Sequence, residues 1–465
     1  MNYVSTRGQS APVGFLEAVL AGLAPDGGLY VPERWPQLTA SDIAAFAGRP
    51  YAEVAAAILG RFAGGELSPE VLVEICADAY SSFSHAAVAP VKQLTPGTFL
   101  LELFHGPTLA FKDVAMQLLA RLYDHALARQ DRRLTIACAT SGDTGGAAVE
   151  AFRGRANVRI VALFPEGRIS EVQRRFMTTA DEANVACLAV QGTFDDCQAM
   201  VKSMFQDAQF AQAVDLSGVN SINFARIAAQ TVYYFTAAVA LGAPHRKVAF
   251  AVPTGNFGDA YAGYAAHRMG LPIERIIAAV NANDILSRAF ATGRYARGEV
   301  RPTSSPAMDI QAASNFERLY FESVGRAPVE TARAFEAFAA NGAIDIPPKA
   351  LASMRGLMAA TAVSEAEMAR TILSTLNETG ELVDPHTAVG LTAAARIGPA
   401  NPATPVISLS TAHPAKFPEA VAAAAGARPP VPHSVLRLAG RPERVERIAA
   451  DEAAAKAYIR DFAGA

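Results

Sequence analysis

The chain has 465 residues, of which 51% are hydrophobic and 18% charged, so it is long enough for two or three domains and too apolar to be disordered. Its 41 basic and 44 acidic side chains give a formal net charge of −3, which provides no global reason to expect nucleic acid or an anionic membrane as a partner. Four cysteines without a CxxC pair fit a reducing compartment, and the histidines lack the spacing of metal ligands. No apolar run approaches the roughly 18 residues of a membrane span, so we expect a cytoplasmic protein with no metal site.

The predicted elements divide the chain into a helical beginning and a longer alternating part. Residues 41–62 are alanine-rich, and residues 68–83 open with a Ser-Pro-Glu helix start, so both stretches are predicted to be helical. Residues 325–380 return to a helical pattern, and the Pro- and Arg-rich tail after Gly426 is predicted to be an extended surface segment before a last helix. Between these regions, short apolar runs that predict strands alternate with helical stretches; these runs are 134–140, 158–164, 185–190, 248–252, 276–281 and 405–410.

The predicted strands are almost continuously apolar, as expected of strands that are buried on both faces. Because strands alternate with helices, the pattern indicates βαβ units and a mostly parallel sheet in an α/β protein. Ligands of such sheets collect beyond the carboxyl ends of the strands.

Three strand ends carry unusual loops. The first is Ser-Gly-Asp-Thr-Gly-Gly at 141–146, the second is Pro-Thr-Gly-Asn-Phe-Gly-Asp at 253–259, and the third is Thr-Ala-His-Pro at 411–414. In the first two, small residues allow a ligand to approach the backbone, and free N–H groups at a helix start suit an anion. Each loop alone also fits an ordinary tight turn. Neither glycine loop matches GxGxxG or GxxxxGK[ST], which weakens dinucleotide and nucleoside triphosphate interpretations. Together they predict a site at the edge of one sheet.

Lys112 is the most informative single residue. Read as part of a helix, it shares an apolar face with Leu109 and Met116, whereas Asp113 and Gln117 fall on a side predicted to be solvated. Burial of an ammonium is costly and lowers its pKa, and a neutral lysine amine can form a Schiff base. The alternative is a lysine that extends from the edge of the apolar stripe into water.

A third constellation is Ser-Ile-Asn-Phe-Ala-Arg at 221–226, which follows a turn and leads into a helix. An arginine beside short hydrogen-bonding side chains suits a phosphate or carboxylate, although a helix cap with a surface arginine would look the same. These features together indicate a pyridoxal phosphate enzyme that acts on an anionic amino acid: a lysine able to form an imine, a loop able to hold a phosphate, and two further anion sites.

Motifs along the whole chain identify it as resembling the threonine synthases, a family in the tryptophan-synthase-β-like group of pyridoxal phosphate enzymes, fold type II. The motifs are YVSTRG at 3–8, DGGLYVP at 26–32, FHGPTLAFKD at 104–113, TSGDTG at 140–145, VNSINFARI at 219–227, PTGNFGD at 253–259, MDIQ at 308–311, SNFER at 314–318, DPHTA at 384–388 and TAHPAKF at 411–417.

The resemblance implies the fold type II architecture: two open, mostly parallel sheet domains with helices on both faces, plus a helical N-terminal region. The expected division is an N-terminal domain over 1–95 and a catalytic region over 96–465, with a smaller α/β subdomain around 115–210 inserted in the larger one. A monomer or weak homodimer is expected.

The resemblance also implies how the cofactor, pyridoxal 5'-phosphate, is held. Lys112 would form the Schiff base and shuttle protons, and Thr411, or failing that Ser410, would face the pyridine nitrogen. Asp143 takes the place often held by asparagine near the cofactor's 3-hydroxyl. The expected cradle of the cofactor phosphate is Gly255, Asn256, Phe257, Gly258 and Asp259.

For the substrate, the resemblance implies O-phospho-L-homoserine, converted with water to L-threonine and phosphate by a carbon–oxygen lyase. Ser141 and Thr144 would receive its carboxylate or phosphate, and its phosphate would be bound by Ser221, Asn223, Arg226 and Asn256. Three alternatives remain open. A phospho-lyase would release 2-oxobutyrate from the same site, a dehydratase or cysteine synthase would take an unphosphorylated substrate, and a binding protein on this scaffold would be catalytically silent.

Overall fold

The computed structural model describes residues 1–464. The N-terminal region consists of β1 (Tyr3–Ser5), α1 (Phe15–Ala21), β2 (Tyr30–Pro32), α2 (Ala40–Ala44), α3 (Tyr51–Ala63) and α4 (Pro69–Tyr80). The stretch predicted as one helix over 41–62 forms two, because Gly48 adopts a positive φ of +73° and Pro50 begins α3 as its N-cap. Ser68 caps α4 through a hydrogen bond from the Val71 N–H, as the Ser-Pro-Glu sequence predicted.

The next part of the chain contains β3 (Val91–Thr95), β4 (Thr98–Glu102), α5 (Lys112–Ala128), β5 (Leu134–Ala139), α6 (Asp143–Phe152), β6 (Val158–Pro165), α7 (Glu171–Thr178), β7 (Val185–Gln191), α8 (Phe194–Gln206), α9 (Ala208–Ala213) and β8 (Leu216–Ser217). It is followed by α10 (Phe224–Ala240), β9 (Val248–Pro253), α11 (Gly258–Arg268), β10 (Ile273–Val280), α12 (Ile285–Thr292), β11 (Arg294–Ala296), α13 (Phe316–Ser323), α14 (Pro328–Asn341) and β12 (Ala343–Asp345).

The last part contains α15 (Pro348–Leu357), β13 (Met358–Ala362), α16 (Glu365–Thr379), α17 (Pro385–Ile397), β14 (Val406–Ser410), α18 (Pro418–Ala425), α19 (His433–Leu436), β15 (Glu446–Ala449) and α20 (Glu452–Ala463). Single turns of 3-10 helix lie at Pro306–Met308 and Pro414–Lys416. No helix within residues 1–464 has both the length and the apolar character that crossing a membrane requires.

Two open sheets dominate the molecule. The larger has the strand order β13-β10-β9-β14-β4-β3, and only its edge hairpin β3–β4 is antiparallel. The smaller has the order β15-β7-β6-β5-β8, and all its neighbouring strands are parallel. All six apolar runs predicted as strands form strands of these two sheets, which confirms the predicted α/β architecture.

The edge strands of both sheets, β13 and β3 in the larger and β15 and β8 in the smaller, were not predicted. β13 lies inside the stretch predicted to be helical, yet it pairs in parallel with β10, whose Ile276 is opposite Met358. Its sequence, Met-Ala-Ala-Thr-Ala, carries little strand propensity, so its position at the sheet edge decides its conformation. β15 follows the Pro- and Arg-rich tail and adds to the edge of the smaller sheet beside β7.

Candidate active site

The sequence analysis predicted that the three unusual loops follow strands of one sheet, and this prediction is wrong. The first glycine loop (residues 141–146) follows β5 of the smaller sheet, whereas the second glycine loop (residues 253–259) and the 411–414 loop follow β9 and β14 of the larger sheet. They nevertheless meet, because the Lys416 ammonium, just beyond the third loop, lies 2.7 Å from Asp143 in the first. The candidate site is therefore a cleft between the two sheets.

Lys112 is the first residue of α5 and is held against the end of β14. The Phe111 N–H donates to the Thr411 carbonyl at 2.8 Å, and Ala110 forms an isolated bridge with Ala412. The prediction that Leu109 shares a helical face with Lys112 is wrong, because Leu109 has a φ of +63° and lies before the helix.

The prediction that Asp113 and Gln117 are solvated is wrong. Both are buried, and the Asp113 carboxylate accepts from the Thr108 N–H at 2.9 Å and from its hydroxyl at 2.6 Å. Gly106 must lack a side chain here, because a Cβ atom would lie 2.4 Å from that of Asp113. The hydrogen bonds of Asp113 thus shape the turn that presents Lys112.

Lys112 itself is buried, with 8% of its surface exposed, and its Nζ lies 3.4 Å from the Asp143 Oδ2. Burial lowers the pKa of Lys112; the Asp143 carboxylate opposes this, and the Lys416 and Arg226 cations add to the lowering. The prediction of a desolvated lysine agrees with this environment. A lowered pKa increases the fraction of neutral amine, the form that adds to a carbonyl.

Asp143 has partners that the sequence analysis missed. Its Oδ1 lies 2.7 Å from the Lys416 Nζ and accepts a hydrogen bond from the Gln173 Nε2 at 3.0 Å. Burial opposes ionisation of Asp143, but the Lys416 and Lys112 cations outweigh it and hold the pKa of Asp143 well below its usual range. The only available signal for Lys416 was a lysine within the short Pro-Ala-Lys-Phe stretch.

The second glycine loop leads into α11 without a side-chain cap. Phe257, the N-cap residue, has a φ of +65°, a strained conformation for a residue other than glycine. A Cβ atom on Gly255 would lie 2.9 Å from the Ala307 carbonyl oxygen, so this glycine allows the loop to pack on the 306–308 turn. Gly258 is buried, so the uncapped start of α11 lies in the interior, where an anion would satisfy its first N–H groups.

The Asp259 carboxylate is hydrogen-bonded to two tyrosines of α10. It accepts hydrogen bonds from the Tyr233 hydroxyl at 2.5 Å and the Tyr234 hydroxyl at 3.0 Å, and its Oδ2 is buried without a partner. Burial raises the pKa of Asp259 to about 6, against the lowering effect of the two tyrosines and of Arg226.

Two further residues that the sequence analysis did not single out connect the remaining loops. The Asn315 Nδ2 donates to the Ser221 carbonyl at 3.1 Å and the Asn256 carbonyl at 3.2 Å, which brings these two predicted site residues together. Arg318 is fully buried and donates to Asn315, to the Ile222 carbonyl and, at 3.0 Å, to the carbonyl of Tyr30 in β2. Arg318 therefore connects β2 of the N-terminal region with the loops of the site.

Arg226 is buried with an incomplete set of partners. Its Nη1 donates to the Val219 carbonyl at 3.2 Å, while its Nε has no partner. Burial lowers the pKa of Arg226 to about 10, so it remains a cation at neutral pH. Asn223 is already engaged: its Oδ1 accepts from the Ala225 N–H, and its Nδ2 donates to the Val19 carbonyl of α1.

The other predicted contacts lie at the ends of β5 and β14. Ser141 and Thr144 are half-buried on the first glycine loop, whose Gly142 and Gly145 N–H groups donate to the Thr140 hydroxyl. The Ser410 hydroxyl contacts that of Thr387 at 3.1 Å, and Thr411 is buried beside it.

The residues of this cleft fit a cofactor that carries an aldehyde and a phosphate. A buried amine with a lowered pKa, a buried helix start without a cap and a guanidinium with a free N–H are present together. Within residues 1–464, no three or more His, Cys, Asp or Glu side chains group in a way that could hold a metal ion.

Comparisons with known proteins assign the chain. Family models match as Threonine synthase N terminus over residues 2–80, Pyridoxal-phosphate dependent enzyme over 89–411 and Threonine synthase, C-terminal, over 387–459. A threonine synthase of Pseudomonas aeruginosa is 48% identical over 99% of this chain and 98% of its own.

Solved structures agree with the sequence relatives. The PLP-bound threonine synthase from Brucella melitensis superposes with a TM-score of 0.97 at 50% identity, covering 100% of both chains. The yeast threonine synthase gives 0.94 at 36% identity, covering 100% of this chain and 99% of its own. The chain belongs to the threonine synthase family, and it is a pyridoxal phosphate-dependent lyase.

Proposed function

We propose that the cleft converts O-phospho-L-homoserine and water to L-threonine and phosphate. The observation that carries this proposal is the presence in one site of two buried basic groups, the amine of Lys112 and the guanidinium of Arg226, whose Nε has no protein partner. A substrate with an amino acid end and a phosphate end would engage both groups. An unphosphorylated amino acid would leave the Arg226 N–H unsatisfied, which disfavours a dehydratase or a cysteine synthase.

Lys112 carries the cofactor and handles protons in this proposal. When bound, pyridoxal phosphate supplies the electron sink that makes the substrate Cα–H bond acidic. The Lys112 amine, once displaced by the substrate amine, removes and returns protons at Cα, Cβ and Cγ. Its lowered pKa supports this role, because a base must be unprotonated before it can accept a proton.

The second glycine loop is the proposed cradle of the cofactor phosphate. The uncapped start of α11 supports this role for the backbone of Gly255, Asn256, Phe257, Gly258 and Asp259. The Asp259 carboxylate is turned toward two tyrosines, so its contribution would come from its N–H group and not from its side chain.

Thr411 is the proposed partner of the pyridine nitrogen, and Asp143 is the proposed neighbour of the 3-hydroxyl. The contact of the Ser410 hydroxyl with Thr387 supports the choice of Thr411 over Ser410. The 3.4 Å contact between Asp143 and the Lys112 amine supports placing this carboxylate near the ring.

The substrate anions are assigned to two sides of the cleft. Ser141 and Thr144 on the first glycine loop would receive the carboxylate, and the phosphate would contact Ser221, Asn256 and Arg226. Asn223 belongs to the same group, but its contacts with the start of α10 and with α1 favour a supporting role.

The test is product analysis with O-phospho-L-homoserine as the substrate. We expect threonine and phosphate in equal amounts, and Lys112→Ala should reduce both below detection. Lys456→Ala is the matched control, because that lysine of α20 pairs with Asp207 and Glu452, and its replacement should leave turnover unchanged.

Arg226→Met should raise KM for the phosphorylated substrate by about tenfold to a hundredfold, because one charge-assisted hydrogen bond is removed. Phosphate with 2-oxobutyrate instead of threonine would support the phospho-lyase alternative. Cofactor binding without any phosphate release would overturn the substrate assignment.

A further inference from the structure

Lys416 is a buried cation with no role in the proposed reaction. It ends the 3-10 turn at Pro414–Lys416, and only 1% of its surface is exposed. Its Nζ donates to the Thr108 carbonyl at 2.8 Å and lies 2.7 Å from the Asp143 Oδ1. A buried ammonium is unfavourable unless it is paired, so this position calls for an explanation.

Lys416 and Lys112 share the same carboxylate unequally. Lys416 contacts Oδ1 at 2.7 Å, whereas Lys112 contacts Oδ2 at 3.4 Å. Gln173 also donates to Oδ1. One carboxylate cannot neutralise two cations, and the shorter contact, together with the Thr108 carbonyl that fixes Lys416, indicates that Asp143 pairs mainly with Lys416.

The other charged groups near Lys112 do not supply the negative charge that would compensate a second ammonium. Arg226 of α10 adds a further positive charge, and Asp259 of α11 is turned toward its two tyrosines. Asp113, the next residue along α5, is hydrogen-bonded to Thr108.

We propose that Lys416 is a positioning residue: by holding the Asp143 carboxylate, it prevents this carboxylate from keeping Lys112 as an ammonium, so that the Lys112 amine is free to join the cofactor. In that step the amine nitrogen adds to the aldehyde carbon, a C–N double bond forms, and the aldehyde oxygen leaves as water. The inference rests on the proposed role of Lys112. It concerns cofactor loading and not the later reaction.

The experiment measures the rate at which apoenzyme forms its covalent link with pyridoxal phosphate. The reaction is monitored by visible absorbance at a series of pH values. In Lys416→Gln and Lys416→Met, Asp143 is left with Lys112 as its only cation. The pH midpoint of the rate should therefore rise by about one unit, which slows the reaction about tenfold at a pH below the midpoint. The Gln variant retains a donor for the Thr108 carbonyl, so it carries the test if the Met variant does not fold.

Two further variants check that Lys416 acts through Asp143. Asp143→Asn should shift the midpoint downward, and Asp143→Asn/Lys416→Gln should lie close to it rather than close to Lys416→Gln. Lys456→Gln, which removes the ion pairs with Asp207 and Glu452, should keep the wild-type midpoint.

An unchanged midpoint in both Lys416 variants would overturn the inference. A covalent link that persists in Lys112→Ala would instead overturn the proposed role of Lys112. The two failures are therefore distinguishable.

Discussion

The two glycine loops resemble each other closely in sequence and differ in what they do with charge. Each follows a parallel strand and enters a helix whose N-cap residue contributes no side-chain hydrogen bond, and each has a Gly-Asp pair at that point, Gly142-Asp143 in the first and Gly258-Asp259 in the second. In the first loop the carboxylate faces two lysines, whereas in the second it faces two tyrosines. The pKa of Asp143 lies well below its usual range, and that of Asp259 is raised to about 6.

A local motif therefore sets the backbone conformation but not the chemistry of its side chains. Both loops leave helix N–H groups for anions, so both suit a ligand that carries phosphate or carboxylate. The ionisation of each aspartate depends on groups that other parts of the chain bring to it: Lys416 in one case, Tyr233 and Tyr234 in the other.

The largest expected contrast is in stability when each carboxylate is removed. Asp143→Ala leaves the Lys416 ammonium buried without its counter-ion, so we expect a loss of about 3–5 kcal/mol in the free energy of unfolding. Asp259→Ala loses hydrogen bonds from neutral tyrosines and should cost about 1–2 kcal/mol. Urea denaturation of the apo proteins measures both values. Equal losses would mean that the contrast in charge environment has no energetic consequence.

A smaller contrast is expected for the glycines themselves. Gly142 has a φ of +125°, and a Cβ atom there would lie 2.5 Å from the Gln173 side chain, so Gly142→Ala should destabilise the protein by about 2–4 kcal/mol. At Gly258 a Cβ atom would lie 3.2 Å from the Asn315 Nδ2, and alanine should cost about 1 kcal/mol or less. Thermal unfolding of the two variants, compared with Gly97→Ala at an open position, tests this order.

The smallest contrast is in the dependence of stability on pH. Because the pKa of Asp259 in the folded protein, about 6, is above the value of an ordinary carboxyl, the ionised form destabilises the fold at neutral pH. That penalty begins to decrease as the pH falls through about 6 and is gone only below the ordinary carboxyl value, so wild type should gain about 1–2 kcal/mol relative to Asp259→Asn between pH 7 and pH 5.

Asp143 behaves in the opposite sense. Its pKa is lowered, so its stabilising contribution is complete above the ordinary carboxyl value and is lost only in stronger acid. It should therefore add no slope over the interval in which Asp259 titrates. If the difference in the free energy of unfolding between wild type and Asp259→Asn does not change between pH 7 and pH 5, the raised pKa of Asp259 is contradicted.

Much of the fold was predictable from the sequence, because strands buried on both faces are written as continuous apolar runs. The positions of Lys112 and both glycine loops also followed from local patterns. The solvation of Asp113 was mispredicted because α5 begins only at Lys112, after the left-handed Leu109, and a short side chain next to a helix start can turn back to its own turn.

What the sequence did not reveal depends on contacts between distant residues. Lys416 and Thr108 are 308 positions apart, and Arg318 and Tyr30 are 288 positions apart. No periodicity or motif connects such pairs. The same reason explains the mistaken expectation of one sheet: local patterns show that strands are parallel, but they do not show which strands are neighbours.

The position of β14 has a consequence for biosynthesis. This strand is synthesised long after β4, yet it lies between β9 and β4 in the middle of the larger sheet. At typical elongation rates, the ribosome needs roughly 15–60 s to pass from β4 to β14. During that time the hairpin β3–β4 lacks its inner neighbour, and the nascent chain exposes a strand edge that can pair wrongly. Lys112 is already present but has neither Thr411 nor Lys416 beside it, so the proposed cofactor site is complete only after the chain has been made as far as Lys416.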